Sequence, residues 1–220
     1  MKIGGIELKW LGNSGFFIQK GKNIYIDPYM ISDSSEKADI ILITHSHYDH
    51  CSIADLRKIT KDGTIIIVPV DAQSKIGNLS HKIDMRVIEL GEEIDFRDVK
   101  ILSVPAYNIH KTFHPKDENW MGYVLKFSDL ILYHAGDTDI IPEMQKLTGF
   151  GSGKEFVVLL PVSGRYVMTA EEAAEAAFLI KPSIAIPMHY GSVAGSVEDA
   201  HEFKKFCEEK GINVEILEKE

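Results

Sequence analysis

The sequence predicts an α+β fold: a single domain over residues 1–220, made of mixed β-sheets with helices on the outside. Three observations carry that expectation. Short β-branched runs fill the first two-thirds of the chain, two well-capped helical segments come late, and the two halves share a plan of strands, helix, strands, helix.

The strand candidates follow in order. "IELKWLG", "GFFIQ", "NIYID", "DIILIT", "TIIIVPV", "RVIEL" and "VKILSVPA" are each bounded by Gly, Asn, Asp or Lys, as strands joined by turns should be. "GYVLKF" and "LILYHAG", separated by Ser128-Asp129, read as a hairpin. "SIADLRKI" after Cys51 is a short helix. "TAEEAAEAAFLIKP" opens with a capping box, Thr169 to Glu172, and must stop before Pro182. "SVEDAHEFKKFCEEKG" starts at Ser196 and ends at Gly211, a residue suited to leaving a helix.

Composition narrows the function. Hydrophobic content of 45% and charged content of 26% describe an ordinary globular chain with a real core. Lys+Arg 24 against Asp+Glu 33 leaves a net charge of -9, which disfavours nucleic acid as a partner because phosphate must be met by cations. The apolar runs are strand-sized, so neither a signal peptide nor a membrane span is expected, and no stable membrane insertion. Two distant cysteines, Cys51 and Cys207, form no disulfide framework, and a cytoplasmic location is the default.

Residues 44–50, "THSHYDH", hold His45, His47, Asp49 and His50 at the mouth of a strand. Neutral imidazoles suit zinc and similar metals, and a carboxylate adds charge for a second ion. In an extended stretch His45 and His47 point the same way and can share one ion, while a turn at Tyr48 would aim Asp49 and His50 at a neighbouring position. Two further strand ends add donors: Asp137 in "YHAGDTD", after two small residues that let the backbone approach closely, and His189 in "AIPMHYGS". Taken alone, Asp137 reads as a helix cap and His189 as a half-buried strand-end histidine; downstream of H-x-H-x-D-H both read as ligands.

"THSHYDH", "AGDT" and "PMHYG", in this order, resemble the metallo-β-lactamase superfamily, and more narrowly its ascorbate-6-phosphate lactonase and N-acylphosphatidylethanolamine phospholipase D-like branch. The resemblance runs from "WLGNSGFFI" to "HYGSV". It implies an αββα four-layer sandwich, two mixed sheets face to face with helices outside, and a dinuclear site. His45 and His47 would hold the first metal, Asp49, His50 and His189 the second, and Asp137 would bridge them. The ions would be Zn2+, with Mn2+ or Fe2+ as substitutes. A metal-bound hydroxide, oriented by Asp49, would attack an ester, lactone or phosphodiester in a small or lipid-like substrate. The alternatives are a di-iron redox enzyme on the same fold and a non-catalytic metal-binding or regulatory protein. Asn13 stands where many relatives carry His.

"PAYNIHKTFHP" (105–115) is where such relatives place a third histidine for the first metal, yet Asn108 stands there. An amide oxygen is a poor zinc ligand beside an imidazole, so Asn108 is a hydrogen-bonding group or a substrate contact. His114, followed by Pro115 and Lys116, is the expected replacement; His110 is its rival and otherwise a substrate contact, and if neither binds the first site is open or the protein mononuclear. Arg165 and Tyr166, after another strand end, are candidates for an anionic substrate group, as are Lys111 and Lys116 more weakly. His134 reads as a buried, hydrogen-bonded residue, and Cys51 as packing.

Overall fold

Runs of Val, Ile and aromatic residues become strands because their stiff side chains fit a pleated surface better than a helix. The structure, a computed structural model, describes residues 1–77 and 79–220. They form two compact units, Met1–Glu89 with Glu218–Glu220, and Leu90–Leu217.

The first unit is one seven-stranded sheet in chain order: β1 (Lys2–Ile3), β2 (Ile6–Gly12), β3 (Gly15–Gln19), β4 (Asn23–Ile26), β5 (Ile40–Leu42), β6 (Ile65–Val68) and β7 (Asp84–Val87). The β1–β4 pairings are antiparallel and those from β4 to β7 parallel. Phe17, Tyr25, Ile41 and Ile66 line one face and pack with Leu56 and Ile59 of helix α1 (Ile53–Ile59) and Ile76 of α2 (Gln73–Ile76). The opposite face, with Phe16, Ile18, Ile24, Ile40 and Ile67, is also buried. A sheet covered on both faces reads as continuous apolar runs rather than alternation, which is why "DIILIT" and "TIIIV" look as they do.

The second unit repeats the plan. Its six strands run in the order β13-β12-β11-β10-β9-β8, being β8 (Glu93–Asp95), β9 (Lys100–Pro105), β10 (Met121–Lys126), β11 (Leu130–His134), β12 (Glu155–Pro161) and β13 (Ile184–Met188). The β8–β11 pairings are antiparallel and β11–β13 parallel. The expected hairpin forms, and the Phe127 amide donates to the Leu130 carbonyl (2.8 Å) across Ser128-Asp129. Helix α3 (Ala170–Ile180) packs on β12 and against α4 (Val197–Glu209), which lies on β13. Its buried face is nearly all alanine (Ala170, Ala173, Ala174, Ala176, Ala177), so the helix lies close to its neighbours and keeps the strongest helix former. The Thr169–Glu172 capping box closes its start, with bonds of 2.8 and 3.1 Å. At the far end of α4, Lys210 is the cap and Gly211, at φ +75°, turns the chain away.

Candidate metal site

Each unit gathers its chemically active side chains just past the carboxyl ends of its parallel strands, where open sheets with parallel strands present their ligand sites. In the first unit Asp27 follows β4 and "THSHYDH" follows β5, held to each other by the Asp27 amide on the Leu42 carbonyl (3.0 Å). His45, Asp49, His50 and Asp27 are buried, and His47 is half-buried.

Asp27 organises this group. Its Oδ1 accepts from the Thr44 amide (2.8 Å), and its Oδ2 accepts from the Thr44 hydroxyl (2.6 Å) and from His50 Nδ1 (2.7 Å). A carboxylate only accepts, so His50 carries its proton on Nδ1 and turns the Nε2 lone pair the other way, 3.3 Å from Asp49 Oδ2. The Thr44 hydroxyl has given its hydrogen to Asp27, so it accepts from His45 Nδ1 (3.0 Å), and His45 likewise presents Nε2 as a lone pair. His45 Nε2 lies 3.0 Å from His47 Nδ1. The turn expected at Tyr48 is present, with the His50 and Cys51 amides both donating to the His47 carbonyl (3.1 and 2.8 Å). Asn13 is buried and donates from Nδ2 to Asp49 Oδ2 (3.0 Å), so the residue standing in place of a histidine fixes the carboxylate instead.

In the second unit Asp137 lies three residues past β11, Ser163 two past β12, and His189 directly after β13. Gly136 before Asp137 sits at φ +67°, and a Cβ there would lie 2.7 Å from the Met121 carbonyl oxygen; this is the close approach expected of the small pair. His114 Nε2 and His189 Nε2 stand 3.2 and 3.1 Å from the same oxygen, Asp137 Oδ2. His189 Nδ1 is bonded to Ser163 Oγ (3.0 Å). His114 Nδ1 faces two acceptors, Asn108 Oδ1 (3.0 Å) and the Tyr166 carbonyl (3.2 Å). His114 therefore carries its proton on Nδ1, and Nε2 is the lone pair turned towards Asp137.

His114 is 1% exposed, while His110 is exposed and contributes only its backbone amide, to Asp139 Oδ2 (3.5 Å). Asn108 takes the hydrogen-bonding place expected of an amide in this loop. Its amide is buried and spent on holding His114: Oδ1 also accepts from the His114 amide (3.1 Å), and Nδ2 donates to Asp139 Oδ1 and to the Tyr166 carbonyl (both 3.1 Å). Asp139 ties down the same loop through the Ile109 amide (2.9 Å) and Lys111 Nζ (2.6 Å). Arg165 is exposed and stacks 5.0 Å over the Tyr166 ring, which meets Phe113 edge-on at 4.7 Å. Lys116 is turned to Tyr107 and Glu143, and buried His134 accepts from the Gly136 amide (3.1 Å). Sequence reasoning missed Asp27, Asp139 and Ser163. The signal for all three was the one used for Asp137, a short polar side chain just past a strand end.

The chain matches the Beta-lactamase superfamily domain over residues 7–189. A UPF0173 metal-dependent hydrolase of Pyrococcus furiosus is 32% identical over 215 residues, 93% of each chain. A crystal structure of a candidate metal-dependent hydrolase from Parabacteroides distasonis superposes with a TM-score of 0.84 at 32% identity, over 98% of this chain and 94% of the other. CmlA, a diiron β-hydroxylase from Streptomyces venezuelae, gives a TM-score of 0.74 at 15% identity over 99% of this chain and 53% of its own, a likeness of fold alone. Fold and relatives thus define a metal-dependent hydrolase with the α+β, αββα-type fold. The chain belongs to the metallo-β-lactamase superfamily.

Proposed function

We propose that residues 1–220 act as one dinuclear zinc hydrolase that cleaves an ester, lactone or phosphodiester bond in a small or lipid-like substrate. One observation carries this reading. His50 and His114, one in each unit, have their ring protons committed to Asp27 and to Asn108 with Tyr166, so each aims a lone pair at a carboxylate oxygen 3.2–3.3 Å away. With neutral rings this sets two acceptors against each other, a repulsion that a cation bound between them would relieve. Ligands bound at about 2.0–2.1 Å to a tetrahedral zinc stand roughly 3.3 Å apart, so the donor set fits the ion.

In this reading His45, His47 and His114 would hold the first ion and Asp49, His50 and His189 the second, with Asp137 completing the donor set. When bound, the ions lower the pKa of water and polarise the substrate oxygen under attack. The rest falls to the side chains. Asp27, Thr44, Asn108 and Ser163 fix ring orientation, the outer-shell task that sets ligand basicity. Asp49, steadied by Asn13, orients the attacking water and takes its proton. Arg165 on Tyr166 meets an anionic part of the substrate. Among the described residues no helix is long and apolar enough to cross a membrane, and the two buried free cysteines fit a reducing cytoplasm.

The test is elemental analysis with anomalous scattering, beside hydrolysis of an ester, lactone and phosphodiester panel. Two zinc ions per chain and activity lost on chelation and regained with Zn2+ are expected. A protein that takes up none of Zn2+, Mn2+ or Fe2+ overturns the reading. Iron bound with charge-transfer absorption and no hydrolysis replaces it with redox chemistry.

A further inference from the structure

The second unit also holds a cavity of about 330 Å³ that none of the proposed metal ligands lines. Leu102, Val104, Tyr133, Ile141, Met144 and Phe150 form much of its wall. In the sheet register Leu102 pairs with Val124 and Val124 with Tyr133, so Leu102 and Tyr133 project from the same face. The 3₁₀ turn at Pro142–Leu147 supplies Met144 and Leu147 to the lining. At about 30 Å³ per water-sized group, the space takes roughly ten heavy atoms.

Two polar groups mark it as more than a packing gap. Tyr133 is 1% exposed, and its hydroxyl makes no hydrogen bond to another described residue, although its side chain lines the cavity. A hydroxyl that opens onto a cavity and is not taken up by the protein is available to a ligand atom within it. At the rim Glu143 is already engaged by the Tyr107 hydroxyl (2.8 Å) and Lys116 (3.3 Å). Lys146, also at the rim, is exposed and has no ion-pair partner among the described residues. The uncompensated charge at the mouth is therefore positive.

We propose that this cavity binds an amphipathic carboxylic acid of about ten carbons, its chain against the apolar wall, an oxygen substituent at the Tyr133 hydroxyl and its carboxylate at Lys146. The site is separate from the metal ligands and does not depend on the hydrolase reading.

The probes are 5-hydroxydecanoate, decanoate, which lacks the hydroxyl, and 1,5-decanediol, which lacks the carboxylate. Each is titrated calorimetrically into the full chain, before and after chelation. Saturable one-to-one binding of 5-hydroxydecanoate, unchanged by chelation, is expected. Tyr133→Phe, which keeps the packing volume, weakens it about tenfold and leaves decanoate unaffected. Lys146→Met weakens both acids about threefold and spares the diol. Absence of saturable binding, affinity that disappears with the metal, or a Tyr133→Phe protein of unchanged melting temperature that still prefers the hydroxy acid overturns the proposal.

Discussion

Replacing Asn108 with alanine is expected to loosen His114 without touching any proposed metal ligand. The amide makes four side-chain hydrogen bonds: from the His114 amide and Nδ1 at 3.1 and 3.0 Å, and to Asp139 Oδ1 and the Tyr166 carbonyl at 3.1 Å each. At about 1 kcal/mol net per bond the ceiling is about 4 kcal/mol. Two partners keep a substitute: His114 Nδ1 still reaches the Tyr166 carbonyl at 3.2 Å, and Asp139 still receives Lys111 at 2.6 Å. The expected loss is therefore about 2–3 kcal/mol, most of it from the stranded His114 amide and the space left behind. Metal affinity should fall about 10–100-fold, the usual effect of losing the group that orients a ligand imidazole. Urea unfolding of the metal-free protein reads the first quantity, and competition with a chromophoric chelator reads the second. His110→Ala is the control: an exposed side chain whose loss should cost less than about 0.5 kcal/mol and leave affinity unchanged. If His110→Ala loses metal and Asn108→Ala does not, His110 is the ligand and the assignment of His114 is wrong.

Three further outcomes test the same framework. Asp27→Asn removes the acceptor that fixes the His50 proton on Nδ1; chelator competition should show one of two metal sites weakened at least about tenfold. Asp55 is buried, and burial alone would raise its pKa. Bonds from Ser52, Lys58 and the Met30 and Ile31 amides outweigh that and hold it below the usual carboxylate range. Its contribution is thus complete above the unfolded pKa and is lost as pH falls through the folded one. Asp55→Asn should cost about 1–3 kcal/mol in neutral urea unfolding, and the gap from the parent should narrow towards pH 3. Gly136→Ala combines a left-handed φ of +67° with a Cβ 2.7 Å from the Met121 carbonyl oxygen, and calorimetry should show a loss above about 1 kcal/mol.

The features legible in the sequence are those that local physics dictates. Eleven strands and three helices announced themselves through β-branching, caps and turn residues, because each depends on neighbours within a few positions. The strands that escaped notice, Lys2–Ile3 and Glu93–Asp95, are short and polar, and they exist by pairing at β2 and β9. The donors of the candidate site were legible for a chemical reason, since few residue types offer a lone pair to a metal.

What holds those donors was not legible, because it acts across the chain. Asp27 reaches His50 over 23 residues, Ser163 reaches His189 over 26, and the Tyr166 carbonyl meets Asn108 over 58. The choice between His110 and His114 belongs to the same class. Both lie in one aperiodic loop, and only the long-range bonds of Asn108 and Asp139 turn one inwards and leave the other in water. Backbone strain is equally silent in sequence. Asn13, Asp27 and His189 adopt φ of +50°, +43° and +60°, a region that residues other than glycine seldom enter. Each is anchored by its side chain, to Asp49, to Thr44 and His50, and to Ser163. Those bonds offset a cost of about 1–3 kcal/mol per residue, which places the strain and the chemistry on the same three side chains.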